Sequence, residues 1–364
     1  MRIRLAALVS LLVTGSASAE PLPRFPAGAP WYQNIGGATP HADSASMIAT
    51  LDTLGGFGFG RFQIDFSIRV VRAAAGVATA TTVMLPSMDP DDRYYSPDCD
   101  PLGSSVPIPP GGTIEGSNDM TCNVFGNDCH YLVVQGNLLY EVYRANLVGT
   151  QMQSQCLATW RLDVTYPPEG RGEHCTSADA AGFPIAPLLF NADEIAASLA
   201  LDGTGGGDIG HAIRFILPNP RMASDGSLPG AVGGRLYVRP ASHAGAPSGP
   251  VGSVPYGARL RLRNDFPLDN YNPAARVILN TLKRYGMVLA DGGNIALNAE
   301  DDRYNTAKWA TLGVGSRVFD QTANATDVTI NDFAVIDTGP RIAETYDCVP
   351  TVFPLDTLFC NGFE

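Results

Sequence analysis

Alternation of apolar and polar side chains organises most of this chain. Over residues 64–70, Ile64, Phe66, Ile68 and Val70 point one way while Asp65, Ser67 and Arg69 point the other. That period of two predicts a strand with one buried face, and residues 81–85 read as its partner. HYLVVQ (130–135) and LLYEVYRANL (138–147), joined at Gly136-Asn137, predict a hairpin in which Glu141 shares a face with Leu139 and Tyr143. Residues 156–164 add another strand, with Trp160 on it. Three short alternating stretches follow. His211, Ile213 and Phe215 share a face in the first, and Arg235, Tyr237 and Arg239 in the second. In the third, Arg259, Arg261 and Arg263 alternate with Leu260 and Leu262. MVLAD (287–291) and FAVIDTGP (333–340) supply closing strands.

One helix has sharp limits. Asn272 is its cap, Pro273 its first residue, and Gly286 its exit, which predicts a helix over 273–285. Val277, Ile278, Thr281, Leu282 and Tyr285 form its packed stripe. Shorter helices are expected from a cap at Asp43 through Leu51, over 191–200, and within 306–313. Residues 86–128 read as a long loop insertion, because the prolines of SVPIPPGGTIEG (105–116) argue against a regular central strand. Many short strands and few helices predict a mainly β, sandwich or jelly-roll-like domain rather than a doubly wound fold. It spans 20–340, with a tail over 341–364.

Composition sets the compartment. Arg2 and Arg4 precede an apolar run over 5–13, and Ala17-Ser18-Ala19 ends it, so 1–19 read as an export signal. No later run is long enough for a transmembrane anchor, which predicts a secreted or periplasmic protein. With 39 glycines, 28 prolines and 45% hydrophobic residues, the chain is turn-rich but too apolar for general disorder. Its net charge of -12 excludes nucleic acid as a partner, since a phosphate backbone repels such a surface. Oligomeric state is open.

Seven cysteines suit an oxidising compartment. Pairing by proximity joins Cys99 to Cys122, Cys156 to Cys175 and Cys348 to Cys360, leaving Cys129 over. Beside His130, Cys129 reads either as a thiol nucleophile with its base or as a structural thiol.

Between residues 130 and 338 the stretches HYLVVQ…LYEVY, TSADAAG, GHAIRF, LYVRPASH, GARLRLR and LKRYGMVLADGG resemble an uncharacterised family of secreted bacterial proteins. The resemblance implies export and a shared β-rich domain, and it carries no mechanism.

Candidate chemistry comes from single side chains, because no dinucleotide, P-loop, zincin or nucleophile-elbow motif stands in a suitable context. Glycoside hydrolysis needs two carboxyl groups across a cleft. Glu141 and Asp65, acids within strand patterns, are the acid/base pair this reading selects, with Asp291 at a strand end and Asp179 and Asp265 as further carboxylates. His211, after a glycine-rich turn, is an orienting or substrate-contacting residue or else a core histidine. No cofactor is implied, except that His130, His211 and His243 would hold a divalent metal if the fold gathered them. DPDD (89–92) reads as a hard-cation loop or a solvated one. Arg259 and Arg261 suit the carboxylates of an acidic glycan, or form the polar outside of a strand. Tyr285, Tyr237 and Trp160 suit stacking on sugars, or core packing. The expected function is a secreted carbohydrate-active hydrolase acting on an extracellular polysaccharide. The alternative is a non-catalytic glycan-binding or cell-envelope interaction module.

Overall fold

Arg69 divides the first alternating stretch into two strands that serve different sheets. The computed structural model describes residues 21–86, 93–122, 128–320 and 327–351. Strand β1 (Ile64–Ile68) is an edge of a six-stranded sheet, and β2 (Val70–Arg72) an edge of a four-stranded one. Between them Arg69 is buried, its guanidinium bonded to Asp301, Thr113 and the carbonyls of Ile114 and Ser117. A residue that alternation assigns to an outer strand face is instead the pivot between sheets.

The remaining strands are β3 (Thr79–Met84), β4 (Ser105–Pro107), β5 (His130–Gln135), β6 (Leu138–Tyr143), β7 (Asn146–Val148), β8 (Gln151–Ser154) and β9 (Cys156–Arg161). After them come β10 (Gly172–Glu173), β11 (Ile213–Leu217), β12 (Leu236–Tyr237), β13 (Arg259–Leu262), β14 (Met287–Gly292) and β15 (Leu297–Glu300). The last are β16 (Phe333–Ile336), β17 (Ile342–Ala343) and β18 (Val349–Pro350). The helices are α1 (Ser44–Thr53), α2 (Ala192–Asp202), α3 (Pro273–Arg284) and α4 (Trp309–Leu312). The fold is therefore mainly β with a few short helices, as the alternation predicts.

The sheets form layers. The main sheet runs β1-β15-β11-β14-β13-β16, the central sheet β2-β5-β6-β9, and the outer sheet β4-β3-β8-β7. The expected pairing of 81–85 with 64–70 does not occur: β3 pairs with β4 and β8. The hairpin β5–β6 forms as expected, with Gln135 opposite Leu138 and Gly136 at φ +58° in its turn. Tyr131 and Val133 pack with Ala80, Val106 and Met152 of the outer sheet, while Leu132 and Val134 join Leu139 and Trp160 in the main core. Burial on both faces explains why HYLVVQ is almost continuously apolar.

Helix α3 follows its sequence signals. The Asn272 side chain accepts from the Ala275 N–H, Pro273 opens the helix, and Val277, Ile278 and Leu282 are buried in the main core. Helix α2 is held by a capping box between Asn191 and Glu194. Helix α1 differs from expectation: Asp43 makes no side-chain cap and the helix runs on to Thr53. Strand β15 is also new, since no strand is predicted between residues 292 and 332.

Three disulfides correct the cysteine assignment: Cys99–Cys156, Cys122–Cys129 and Cys175–Cys348. Proximity along the chain fails because paired layers set which thiols meet; Cys156 begins β9, and Cys99 packs beside it. Cys129 is bonded and buried, which removes the nucleophile reading. Cys360 lies outside the described residues, as do the DPDD run and the export signal. The tail up to residue 351 is stapled to the domain, with β17 on β12 and β18 on β10.

Candidate functional site

One face of the main sheet carries a row of polar side chains across four adjacent strands. Asp65 of β1 lies opposite Asn298 of β15, and Leu297 lies opposite Phe215 of β11. Because successive side chains alternate, Arg214 projects to the same side as Asn298, and its Nη1 donates to Asn298 Oδ1 at 2.6 Å. Asp291 joins the row through a register shift. Phe215 pairs with Leu289 of β14, but Ile216 pairs with Asp291, skipping Ala290. This bulge turns Asp291 onto the Arg214 face, where strict alternation would put Ala290.

The segment 176–185 crosses this face and completes the cluster. Asp179 is fully enclosed, accepting from Arg214 Nη2 at 2.6 Å and from the Ala181 N–H at 3.0 Å. The same Nη2 lies 3.7 Å from Asp291 Oδ2. One guanidinium thus faces two carboxylates, one enclosed and one partly exposed, and it cannot neutralise both. Burial pushes the Asp179 carboxyl up to about 7 against the pull of Arg214, with the Asp291 charge adding to the rise. Asp291 is also raised, first by burial, and the negative charge of Asp128 works in the same direction. The pair titrates as a unit and holds a proton where a lone carboxyl has lost it. Asp291 is the member open to solvent, with its side chain 28% exposed.

Asp291 opens into a cleft of about 1030 Å³. Its walls include Tyr95, Tyr143, Tyr256 and Tyr346, with Asn219 and Asn294 beside Asp291. Asp128, exposed at the wall, sets its charge against Asp291 and against Tyr143. His243 also lines the cleft. Its Nδ1 lies 2.7 Å from the Ala180 carbonyl, which can only accept, so Nδ1 carries the proton and Nε2 is left as an acceptor. Burial holds its pKa down at about 4, and the imidazole is neutral at ordinary pH.

A hydrogen-bonded chain supports the cleft from below. His130 Nδ1 is 2.7 Å from Glu115 and Nε2 is 3.1 Å from the Ala178 carbonyl. Burial works against a charge on His130, but Glu115 outweighs it and holds the imidazole up to about 9. Glu115 in turn sits below the ordinary carboxylate range: burial opposes this, and the His130 charge prevails. Ser67 Oγ contacts Asp65 at 2.9 Å and Glu115 at 2.8 Å. A hydroxyl has a single proton, so both contacts are satisfied when one carboxyl is protonated. Of the two, Asp65 has the higher proton affinity: it is raised by burial and then by the Glu115 charge, while Glu115 is lowered.

Several sequence candidates lie elsewhere. Glu141 does not share a cleft with Asp65. It is fully buried, accepting from the N–H groups of Ile185 and Ala186 and from Trp160 Nε1 at 2.8–3.0 Å. His211 is a core residue with Nδ1 bonded to the Ala212 carbonyl. Among the described residues no three His, Cys, Asp or Glu side chains converge as metal ligands, so the shared histidine site is not formed. Arg259 and Arg261 bond carbonyls between residues 30 and 38 instead of facing a glycan cleft together. Asp265 pairs with Arg263 on the surface. Tyr237 is buried with its hydroxyl on Glu173, and Tyr285 is the C-cap of α3. Trp160 lines a second cavity.

Asp291 is at a rim, where its strand-end position beside two glycines places it. Arg214 was visible only as a polar position in a short strand, and Asn298 lay where no strand was predicted. Asp128 had no signal beyond its charge.

These features define a class: a disulfide-bonded, mainly β protein with an acidic, tyrosine-walled cleft, in which no described helix is long and apolar enough to cross a membrane. No family model, curated protein or solved structure matches the chain.

Proposed function

We propose that this protein is a secreted carbohydrate-active hydrolase acting on an extracellular polysaccharide in the tyrosine-walled cleft. The carboxyl pair of this reading is Asp291 with Asp128, replacing Glu141 with Asp65. The observation that carries it is the position of Asp291, a carboxyl of raised proton affinity that lines the same cleft as the carboxylate of Asp128. An acid of raised proton affinity is suited to protonating a glycosidic oxygen, and a second carboxyl in the same cleft to acting as base or nucleophile. Arg214 and Asp179 act as positioning residues. They fix Asp291 and tune its proton affinity without touching substrate. Tyrosine rings stack on sugar faces, and the neighbouring Asn side chains bond hydroxyls.

The test is a screen of neutral and acidic glycans with reducing-end detection. Asp291→Asn and Asp128→Asn should each lower kcat by roughly 10²–10⁴-fold, with folding checked by circular dichroism. Full turnover in Asp291→Asn would overturn the assignment. Saturable glycan binding without turnover in the unaltered protein would select the non-catalytic module.

A further inference from the structure

The face that carries the polar row continues past Asp291 to Arg259, which pairs with Val288 of β14 and with Ile336 of β16. There a second cavity opens, about 530 Å³ in volume and separate from the acidic cleft. Phe25, Trp31, Trp160, Tyr166 and Phe183 wall it. The rings brace one another: Trp31 meets Phe183 edge-on at 5.2 Å, and Trp160 meets Tyr166 at 5.1 Å. Such a wall is preformed and suits a flat apolar body.

Arg259 supplies the charge. It is 4% exposed, yet among the described residues no carboxylate lies within ion-pair distance. Its Nε and Nη2 donate to the Tyr285 carbonyl, Nη2 also to Gln33, and Nη1 to Pro30. A second Nη1 proton has no acceptor among the described residues. Burial alone drives the guanidinium down to about 10, which marks a cation removed from water without a countercharge. The other charged groups on the lining are already engaged: Arg239 pairs with Glu173, and Asp337, at the exposed rim, accepts from the Gly339 N–H.

We propose that this cavity binds a small molecule joining a planar aromatic ring to a carboxylate, the ring between Trp160 and Trp31 and the carboxylate on Arg259. An anionic group there supplies the missing countercharge and accepts the remaining N–H in a charge-assisted bond. The site does not depend on the reading of the cleft.

Cinnamate and cinnamyl alcohol, the same ring with and without the charge, are the probes. Intrinsic fluorescence reads the contact, because two of the three tryptophans line the cavity. Cinnamate should quench saturably, with one site by calorimetry, and bind about tenfold or more tighter than the alcohol. This comparison needs no variant. Arg259→Gln should abolish the difference between the probes, and Ala38→Phe, which adds bulk at the lining, should weaken both. Equal affinity for acid and alcohol would overturn the proposal, as would absence of saturable quenching. Unchanged binding in Ala38→Phe would place the ligand elsewhere and overturn it too. Decanoate binding more tightly than cinnamate would replace the ring by an aliphatic chain and reject the ligand class. Glycan turnover in Ala38→Phe should match that of the unaltered protein, so the two sites fail or stand separately.

Discussion

Glu141 shows how much one buried side chain can organise. On β6 it reaches the N–H groups of Ile185 and Ala186 and the indole of Trp160, tying the central sheet to the segment that crosses the polar row. All its neighbours are donors, so the ionised form is the one they hold, even though burial raises its pKa to about 7. Glu141→Gln turns an amide NH2 towards donors and should cost about 1–3 kcal/mol. Urea denaturation checks the stability, and turnover per folded molecule should be unchanged. The sequence marks Glu141 as an acid among apolar neighbours, which implies partners. It does not say whether those partners are a substrate or main-chain N–H groups forty-odd residues onward. Asp291 was legible as a strand-end residue, but its facing was not, because a bulge reverses what alternation implies.

At the scale of elements, local signals were readable and non-local pairings were not. The β5–β6 hairpin and α3 are set by turn and cap residues within a few positions of each other. The pairing of β1 with β15 and of β3 with β8 joins stretches with no pattern to match them, and Arg69 breaks a strand whose periodicity looks continuous. The His130–Glu115 pair, which holds the start of β5 to the loop before it, makes a prediction about pH. The folded-state pKa of His130 is raised from 6.5 to about 9. Its stabilisation is therefore complete below about 6.5 and is lost as pH rises through about 9. Stability by chemical denaturation should fall by on the order of 1–3 kcal/mol across that window. His130→Gln should flatten the slope. A slope unchanged in that variant would assign the loss to other groups.

For the whole molecule the disulfides decide how the ends are held. Cys175–Cys348 spans 173 residues and secures the strand β18 against β10, whereas Cys122–Cys129 spans seven. In the chain-entropy account the longer loop gains more from closure. Replacing Cys175 and Cys348 by serine should cost about 2–5 kcal/mol and replacing Cys122 and Cys129 less. Thermal unfolding with peptide mapping of the remaining bonds checks both. Cysteine content made disulfide bonding legible. Connectivity was not, since it follows from the stacking of sheets.

The segment 176–185 is a partition. Residues 176–180 form part of the cleft, and Gly182, Phe183 and Pro184 part of the aromatic cavity. Its middle is fastened by the Ala181 N–H to Ala290 and by Ser242 N–H to the Ala181 carbonyl. Gly182 admits no side chain, because at φ +76° a Cβ would meet the Ser242 hydroxyl. A strip pinned at its centre has little room to adjust one side alone. If the cleft takes a glycan and the cavity an aromatic acid, whatever factor the acid imposes on glycan affinity the glycan imposes on the acid. The two chambers would then report on each other's occupancy across a single layer of backbone.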